Sequence, residues 1–365
     1  MNASSFRLFY PKDINEQQLN RLSKSNPNLI IKDLVQSGQL DELAKVLAPT
    51  AVKKTRTVLA AKYADEFASG TWVHTPWHNQ ISRIVDEVDY LSLMTNRNRE
   101  LITKVEQTKL YNSTIGIVGL SVGAGVAKAL VRSGASQHIK IADFDSIEAT
   151  NMNRLDVSFV EIGQTKLDSL CRQMLDVNPY IQIHQFGEGL KDENIDSFFS
   201  DEKKLDLIID EIDDFQTKLK IRQKAREYSV PVMMMTSLGD NLLVDVERYD
   251  KDGQVLFNGV FGQRSESEIE RIITNGSQQE LAVILVDKKH VPKRALGSLG
   301  KIGHTLVGRP QLFSTVSVGA GLGVFLAKRL LLEILPSGRY FINFPRLFSL
   351  DDDFDGQMAQ TVRYE

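Results

Sequence analysis

Apolar positions along the chain change period from region to region. In 114–246, candidate strands at 115–118, 139–142, 181–186, 205–209 and 231–235, the first a short apolar run, alternate with stretches of helical spacing. A strand covered on both faces reads as such a run, because neither face meets water. The alternation predicts an α/β fold with a Rossmann-like, doubly wound, mostly parallel sheet. Residues 242–249 read as a strand leaving that sheet and 255–260 as its hairpin partner, an antiparallel extension. Residues 262–310 are polar and glycine-bearing with no clear period. The stretch 314–335 is a long apolar helix whose small residues Gly319, Ala320, Gly321 and Gly323 suit close packing.

Ahead of the sheet, 6–10 and 29–31 read as strands, and 15–23 and 39–47 as helices with one apolar face. They predict a small N-terminal α/β region. Residues 70–77 form an extended piece carrying Trp72 and Trp77, read as an anchoring strand packed on the main domain, with an aromatic substrate wall as the alternative. The expected division is an N-terminal extension at 1–90, a nucleotide-binding domain at 91–345, and a mobile tail at 346–365 that includes Asp351, Asp352 and Asp353.

Composition narrows the class. Of 365 residues, 42% are hydrophobic, enough for a sizeable core. A net charge of −3 gives no global attraction to nucleic acid. The single cysteine, Cys171, excludes an internal disulfide and a cysteine-built zinc site, so no zinc is expected. The start of the chain lacks the basic and apolar regions of a signal peptide, and charges interrupt the most apolar stretch, 316–335, at Lys328, Arg329 and Glu333. A cytoplasmic protein without a membrane span is expected.

The chemistry concentrates after the first core strand. The turn Gly119-Leu120-Ser121-Val122-Gly123-Ala124-Gly125 precedes a helix at 124–133. Glycines there let backbone approach phosphate at a helix N-terminus. Ser121 stands where a dinucleotide fingerprint has its second glycine, so a structural tight turn is the other reading. Asp143 and Asp145 end the next strand. One such acid can hold ribose, and a second suits a hydrated magnesium ion beside phosphates; capping of the following turn is the alternative for either. Asn151, Arg154 and Lys166 follow. Cations and amides in that order answer the charge that builds on phosphoryl oxygens, although singly each is an ordinary surface residue. The run Asp206-Leu207-Ile208-Ile209-Asp210-Glu211-Ile212-Asp213-Asp214 places crowded acids at a strand's carboxyl end, where they repel unless cations or metal offset them.

Together these residues resemble the ThiF/MoeB/HesA superfamily, the adenylating enzymes related to ubiquitin-activating enzymes. The resemblance covers about 98–249. It implies that Arg99 reaches ATP phosphates of the other subunit, and that Gly119, Ser121 and Gly123 form the ATP cradle. Asp143, Asp145, Asn151 and Asp214 become nucleotide contacts. Arg154 and Lys166 become catalytic cations, and Asp213 the magnesium-associated acid. The runs GTWVHTPW, TNRNRELIT, VGLSVG, ADFD, NMNR and LLVDVERYD further resemble the ThiF-type module that some bacterial proteins fuse to a nitroreductase-like flavin domain. That domain is not expected within these residues, so a nitroreductase-like partner is implied instead.

The implied activity is ATP- and Mg²⁺-dependent adenylation of a carboxylate by a homodimer. The acceptor would be a peptide or protein C-terminus, a ubiquitin-like protein or a small acid. The chain lacks the paired zinc cysteines and the loop cysteine that many superfamily members carry, so a thioester relay is not expected. An NAD- or FAD-dependent oxidoreductase and a non-catalytic scaffold are the competing readings.

Overall fold

The computed structural model describes residues 5–251 and 255–348. The chain sorts into two units: Met1–Thr108 with Val131–Gly134 and Asp168–Ile181, and Lys109–Leu130 with Ala135–Leu167 and Gln182–Glu365.

In the first unit, strands β1 (Arg7–Phe9), β2 (Ile30–Asp33), β3 (Thr71–Thr75) and β4 (Gln80–Ile84) form a sheet in the order β1-β3-β4-β2. Helices α1 (Glu16–Ser25), α2 (Leu40–Leu47), α3 (Val52–Lys62), α4 (Glu87–Met94) and α5 (Lys104–Tyr111) accompany it, α5 running on into the second unit. Asn15 caps α1 in a reciprocal capping box with Gln18. Trp72 is buried with Ile14, Leu19 and Ile81, so its ring fills this unit's own core rather than anchoring it elsewhere. Trp77 stacks on Phe6 and donates to Asp176 at 2.9 Å. Arg83 is wholly buried and is answered by Asp33 at 3.0 Å and the Tyr63 carbonyl at 2.8 Å.

The second unit is the predicted α/β sheet. Its parallel strands are β5 (Thr114–Val118), β6 (His138–Ala142), β7 (Gln182–Phe186), β8 (Leu207–Asp210) and β9 (Val232–Leu238). Antiparallel β10 (Asn241–Glu247) and β11 (Gly338–Asn343) extend it, giving the order β11-β10-β9-β8-β5-β6-β7. From β5 the chain winds outward through β6 to β7, then returns to the other side of β5 through β8 to β9. The order therefore reverses between β5 and β8, where open α/β sheets bind ligands beyond the carboxyl ends of their strands.

Helices α6 (Val122–Arg132), α7 (Lys166–Val177), α8 (Ile195–Ser200) and α9 (Phe215–Tyr228) follow β5, β6, β7 and β8. The long apolar helix is α13 (Phe313–Leu331), after α10 (Glu266–Asn275), α11 (Gln278–Val286) and α12 (Lys293–Ser298). Its small residues do permit close approach: a Cβ on Gly323 would lie 2.7 Å from Met235 Cε, and one on Gly125 3.1 Å from Ala320 Cβ. By length and composition alone α13 is long and apolar enough to cross a membrane, yet half of that window is buried in the protein.

Two expectations for this unit need correction. Residues 255–260 are not the hairpin partner of β10. Phe257 and Asn258 take φ of 54° and 51°, which turns the chain, and β11 pairs with β10 instead. The stretch 262–310 is largely helical. Ser265 with Glu268 and Ser277 with Glu280 form capping boxes that start α10 and α11. The acidic tail at 349–365 lies outside the described residues, whereas Arg346 and Leu347 end a short helix, Phe344–Leu347.

A glycine in the middle of β5 tests this packing. A Cβ on Gly116 would sit 2.7 Å from Phe198 Cε1 and 2.9 Å from Leu205 Cδ1. Gly116→Ala should destabilise the protein by about 1–3 kcal/mol, the usual cost of overpacking. A lowered urea midpoint at unchanged slope checks this; an unchanged midpoint would show that Phe198 repacks freely.

Candidate functional site

A cleft of about 580 Å³ opens beyond the carboxyl ends of β5, β8 and β9. Ser121 and Val122 line it from the glycine turn, Glu211, Asp213 and Asp214 from the end of β8, and Thr236 and Ser237 from β9. Arg154 enters from the loop after β6, and Arg309 and Gln311 from the segment before α13.

The glycine turn owes its shape to two contacts. Gly119 has φ of +87°, and a Cβ there would stand 2.6 Å from the Glu211 carbonyl oxygen. Only glycine lets the turn lie this close to the end of β8. Asp143 then fixes the turn from the other side: Oδ2 accepts from the Leu120 amide at 2.6 Å and Oδ1 from the Asp145 amide at 2.7 Å. Gly123 gives helix α6 its close seat on β5, since a Cβ would meet Ile117 Cγ2 at 2.9 Å.

The loop from 145 to 166 closes on itself through Gly163 N–H to the Ile147 carbonyl (2.8 Å) and Lys166 N–H to the Asp145 carbonyl (3.0 Å). Lys166 is buried, and its Nζ pairs with Asp145 Oδ2 at 2.7 Å. Asn151 is also buried; its side-chain oxygen accepts from the Glu148 amide at 3.0 Å and so shapes the loop. Arg154 donates from Nη1 to the Thr150 carbonyl (2.9 Å) and to Asn153 Oδ1 (3.0 Å). Its Nε is buried at the cleft with no hydrogen-bond partner among the described residues, as are Ser237 Oγ and Gln311 Oε1. Three orphaned polar atoms on one cleft fit a polar ligand that would complete them.

The acids after β8 have separate fates. Asp210 is fully buried between Lys218 Nζ (3.0 Å) and Arg222 Nη1 (2.7 Å), and these cations hold its carboxyl below the usual range although burial pushes it up. Arg222 Nε lies 2.7 Å from Glu247, and its guanidinium sits over the Phe257 ring. Asp206 accepts from the Thr114 amide at 2.8 Å. Asp214 caps α9, accepting from the Thr217 amide and hydroxyl at 2.7 Å. Asp213 is exposed and pairs with Arg309. Protein cations, then, offset much of the crowding.

The cleft therefore gathers Ser121, Arg154, Asp213 and Asp214 of the expected residues. Gly119, Gly123 and Asp143 build the turn behind it, and Asn151, Asp145 and Lys166 build the neighbouring loop. Arg99 lies in the first unit, exposed, with Nη1 donating to the Val46 carbonyl at 3.1 Å. Lys218, Ser237, Arg309 and Gln311 were missed. The breaker Gly308-Arg309-Pro310 was the available signal for the last two; nothing local marks Lys218 or Ser237.

The sequence profile of the ThiF family matches residues 95–285, just over half of the chain. The chain belongs to the ThiF family. Uncharacterized protein MT1398 of Mycobacterium tuberculosis (strain CDC 1551 / Oshkosh) is 35% identical, over 73% of this chain and 37% of that protein. A ubiquitin-like modifier-activating enzyme 5 of Caenorhabditis elegans is 26% identical over 49% of this chain and 45% of its own. The tRNA threonylcarbamoyladenosine dehydratase of Bacillus subtilis (strain 168) is 30% identical over 42% and 59%. This ThiF-family chain thus spans about a third to three fifths of the length of these relatives.

Burial shifts both a thiol and a cleft carboxyl of this ThiF-family chain. Cys171 is fully buried, and burial pushes its thiol up to about 12. It stays protonated at neutral pH and is a poor nucleophile. Burial also pushes the Glu211 carboxyl well above its ordinary range, reinforced by Asp210 and Asp213 and opposed by Lys218 and the Met235 amide. Stability linked to Glu211 is complete below the unfolded carboxylate pKa and is lost as pH rises through the raised folded value. Glu211→Gln keeps an acceptor for the Met235 amide, 2.9 Å from Oε1, and removes that loss. Its unfolding midpoint should gain on the wild type as pH rises from about 4 to about 8. A pH-independent difference would contradict the shift.

Proposed function

We propose that this chain adenylates a carboxylate. One oxygen of the acceptor carboxylate attacks the α-phosphorus of ATP; the bond from that phosphorus to the bridging oxygen breaks, and pyrophosphate leaves. The acceptor needs no general base because it is already ionised. The observation that carries this reading is the unpartnered Arg154 Nε in a cleft at the sheet's reversal point. A guanidinium held by its Nη1 but free at Nε is preorganised for a phosphoryl oxygen.

In this reading Arg154 and Lys166 offset charge on the α-phosphate and pyrophosphate oxygens. Asp145 holds Lys166 in place until phosphate competes for it, and Asp143 holds the glycine turn, with Asn151 shaping the loop. The N-terminus of α6, entered through Ser121, offers amides to phosphate. Arg99 would act on the nucleotide of a second copy in a homodimer. Asp213 is exposed and, on release of its pair with Arg309, would hold Mg²⁺ jointly with the nucleotide, which suits an ion bound through one or two carboxylates and substrate phosphates. Magnesium would supply further neutralisation of phosphate charge.

The relatives' names indicate different acceptors, a ubiquitin-like modifier for one and a tRNA nucleoside for the other. The net charge of −3 favours a peptide or protein C-terminus or a small acid over RNA. Cys171 is too deeply buried to carry a thioester, so the adenylate would pass to a partner or a second substrate, a flavin nitroreductase-like protein among the partners this allows.

ATP–pyrophosphate exchange driven by a carboxylate acceptor tests the proposal. Arg154→Ala and Lys166→Ala should each lower exchange on the order of 100-fold, the usual cost of removing a transition-state donor, with thermal midpoints near that of the wild type. Exchange that survives both substitutions undiminished would sink the assignment.

A further inference from the structure

A second, smaller chamber opens off the cleft beside α11. It has a volume of about 60 Å³, and Leu238, Val283, Val286, Val291, Ala295 and Leu296 supply its apolar wall. Ser237, Leu299, Arg309 and Pro310 line both spaces and so form the passage between them. Of the chamber's two serines, Ser298 is engaged, donating to the Ala295 carbonyl at 2.6 Å. Ser237 Oγ is buried and has no hydrogen-bond partner among the described residues. A buried hydroxyl left unmade costs free energy that a ligand group would recover.

We propose that this chamber receives the side chain of the acceptor, and that the acceptor is a carboxylate bearing a short aliphatic group. The proposal rests on the adenylation reading for the word acceptor, and on the chamber alone for the ligand's shape. Size decides the class. An apolar cavity of about 150 Å³ holds a benzene ring, so a space under half as large excludes a phenyl group and admits roughly three or four carbons. Polarity decides the orientation. The apolar wall takes the hydrocarbon, while the mouth presents the Ser237 hydroxyl, and the Arg309 guanidinium beyond its pair with Asp213, to a carboxylate or its neighbouring amide. A valine-like terminus satisfies both ends; a glycine terminus would leave the chamber unfilled, and a phenylalanine terminus would not enter.

Isothermal titration of the full chain without nucleotide tests this, using N-acetylvaline, N-acetylglycine and N-acetylphenylalanine as probes. N-acetylvaline should bind at least tenfold more tightly than either of the others, within the discrimination a hydrophobic pocket gives. Ala295→Leu, which fills the chamber from α12, should weaken N-acetylvaline at least tenfold and leave N-acetylglycine unchanged. Leu296→Ala, which enlarges it, should improve N-acetylphenylalanine at least fivefold, so the test survives if one variant fails to fold. Equal affinities, no measurable binding of any probe, or N-acetylvaline binding unaltered by both variants would overturn the proposal. Pyrophosphate exchange with the same probes separates the two readings. A valine preference in titration without exchange supports the chamber and overturns adenylation; exchange indifferent to the side chain does the reverse.

Discussion

One buried carboxylate, Asp210, holds the floor of the cleft. It ends β8 with no exposure, and its two oxygens face Lys218 and Arg222 from successive turns of α9. Arg222 carries the interaction onward to Glu247 at the end of β10. Three elements are thereby fixed by charge in a place where unpaired charge is very costly: removing one partner of such a pair costs about 3–5 kcal/mol. The next residue, Glu211, turns the chain into the cleft, and its carbonyl meets Gly119 at the closest approach a glycine allows. The turn, the acids and the cations of the site all stand on this junction.

Much of the sheet was legible because burial leaves an apolar trace. Most of the parallel strands lie on apolar-rich stretches, with ends displaced by a residue or a few, whereas the edge strand β7 keeps only Ile183 and Phe186 apolar and has no buried position. β11 went unread although it carries the apolar run Tyr340-Phe341-Ile342; all six of its positions are only partly buried. The run 255–260 misled in the other direction. It is apolar because Leu256 and Phe257 plug the core, while Asn258 bonds to Asp245 and the Val246 carbonyl in a turn. Helices α10 and α11 were readable in principle from Ser265 with Glu268 and Ser277 with Glu280, since a serine followed three residues later by glutamate is a helix-start signal.

The site was legible in part. The order of glycine turn, strand-end acids, amide and guanidinium can be read along the chain, within the residues that the family profile matches. The contacts cannot be so read. Asp143 serves backbone amides, Asp145 serves Lys166, and Asp214 caps a helix, roles that depend on chains meeting in space. The acidic run after β8 looked like an invitation to metal. Its neutralisation comes largely from Lys218, Arg222 and Arg309, residues that nothing in the run itself announces.

The central claim is that ATP reacts in this cleft. A crystal structure with bound ATP and Mg²⁺ tests it most directly. The account predicts an α-phosphate oxygen within hydrogen-bond reach of Arg154 Nε and of Lys166 Nζ, with Lys166 drawn from Asp145. A nucleotide bound away from both cations, or a cleft that takes NAD and leaves ATP in solution, would contradict it.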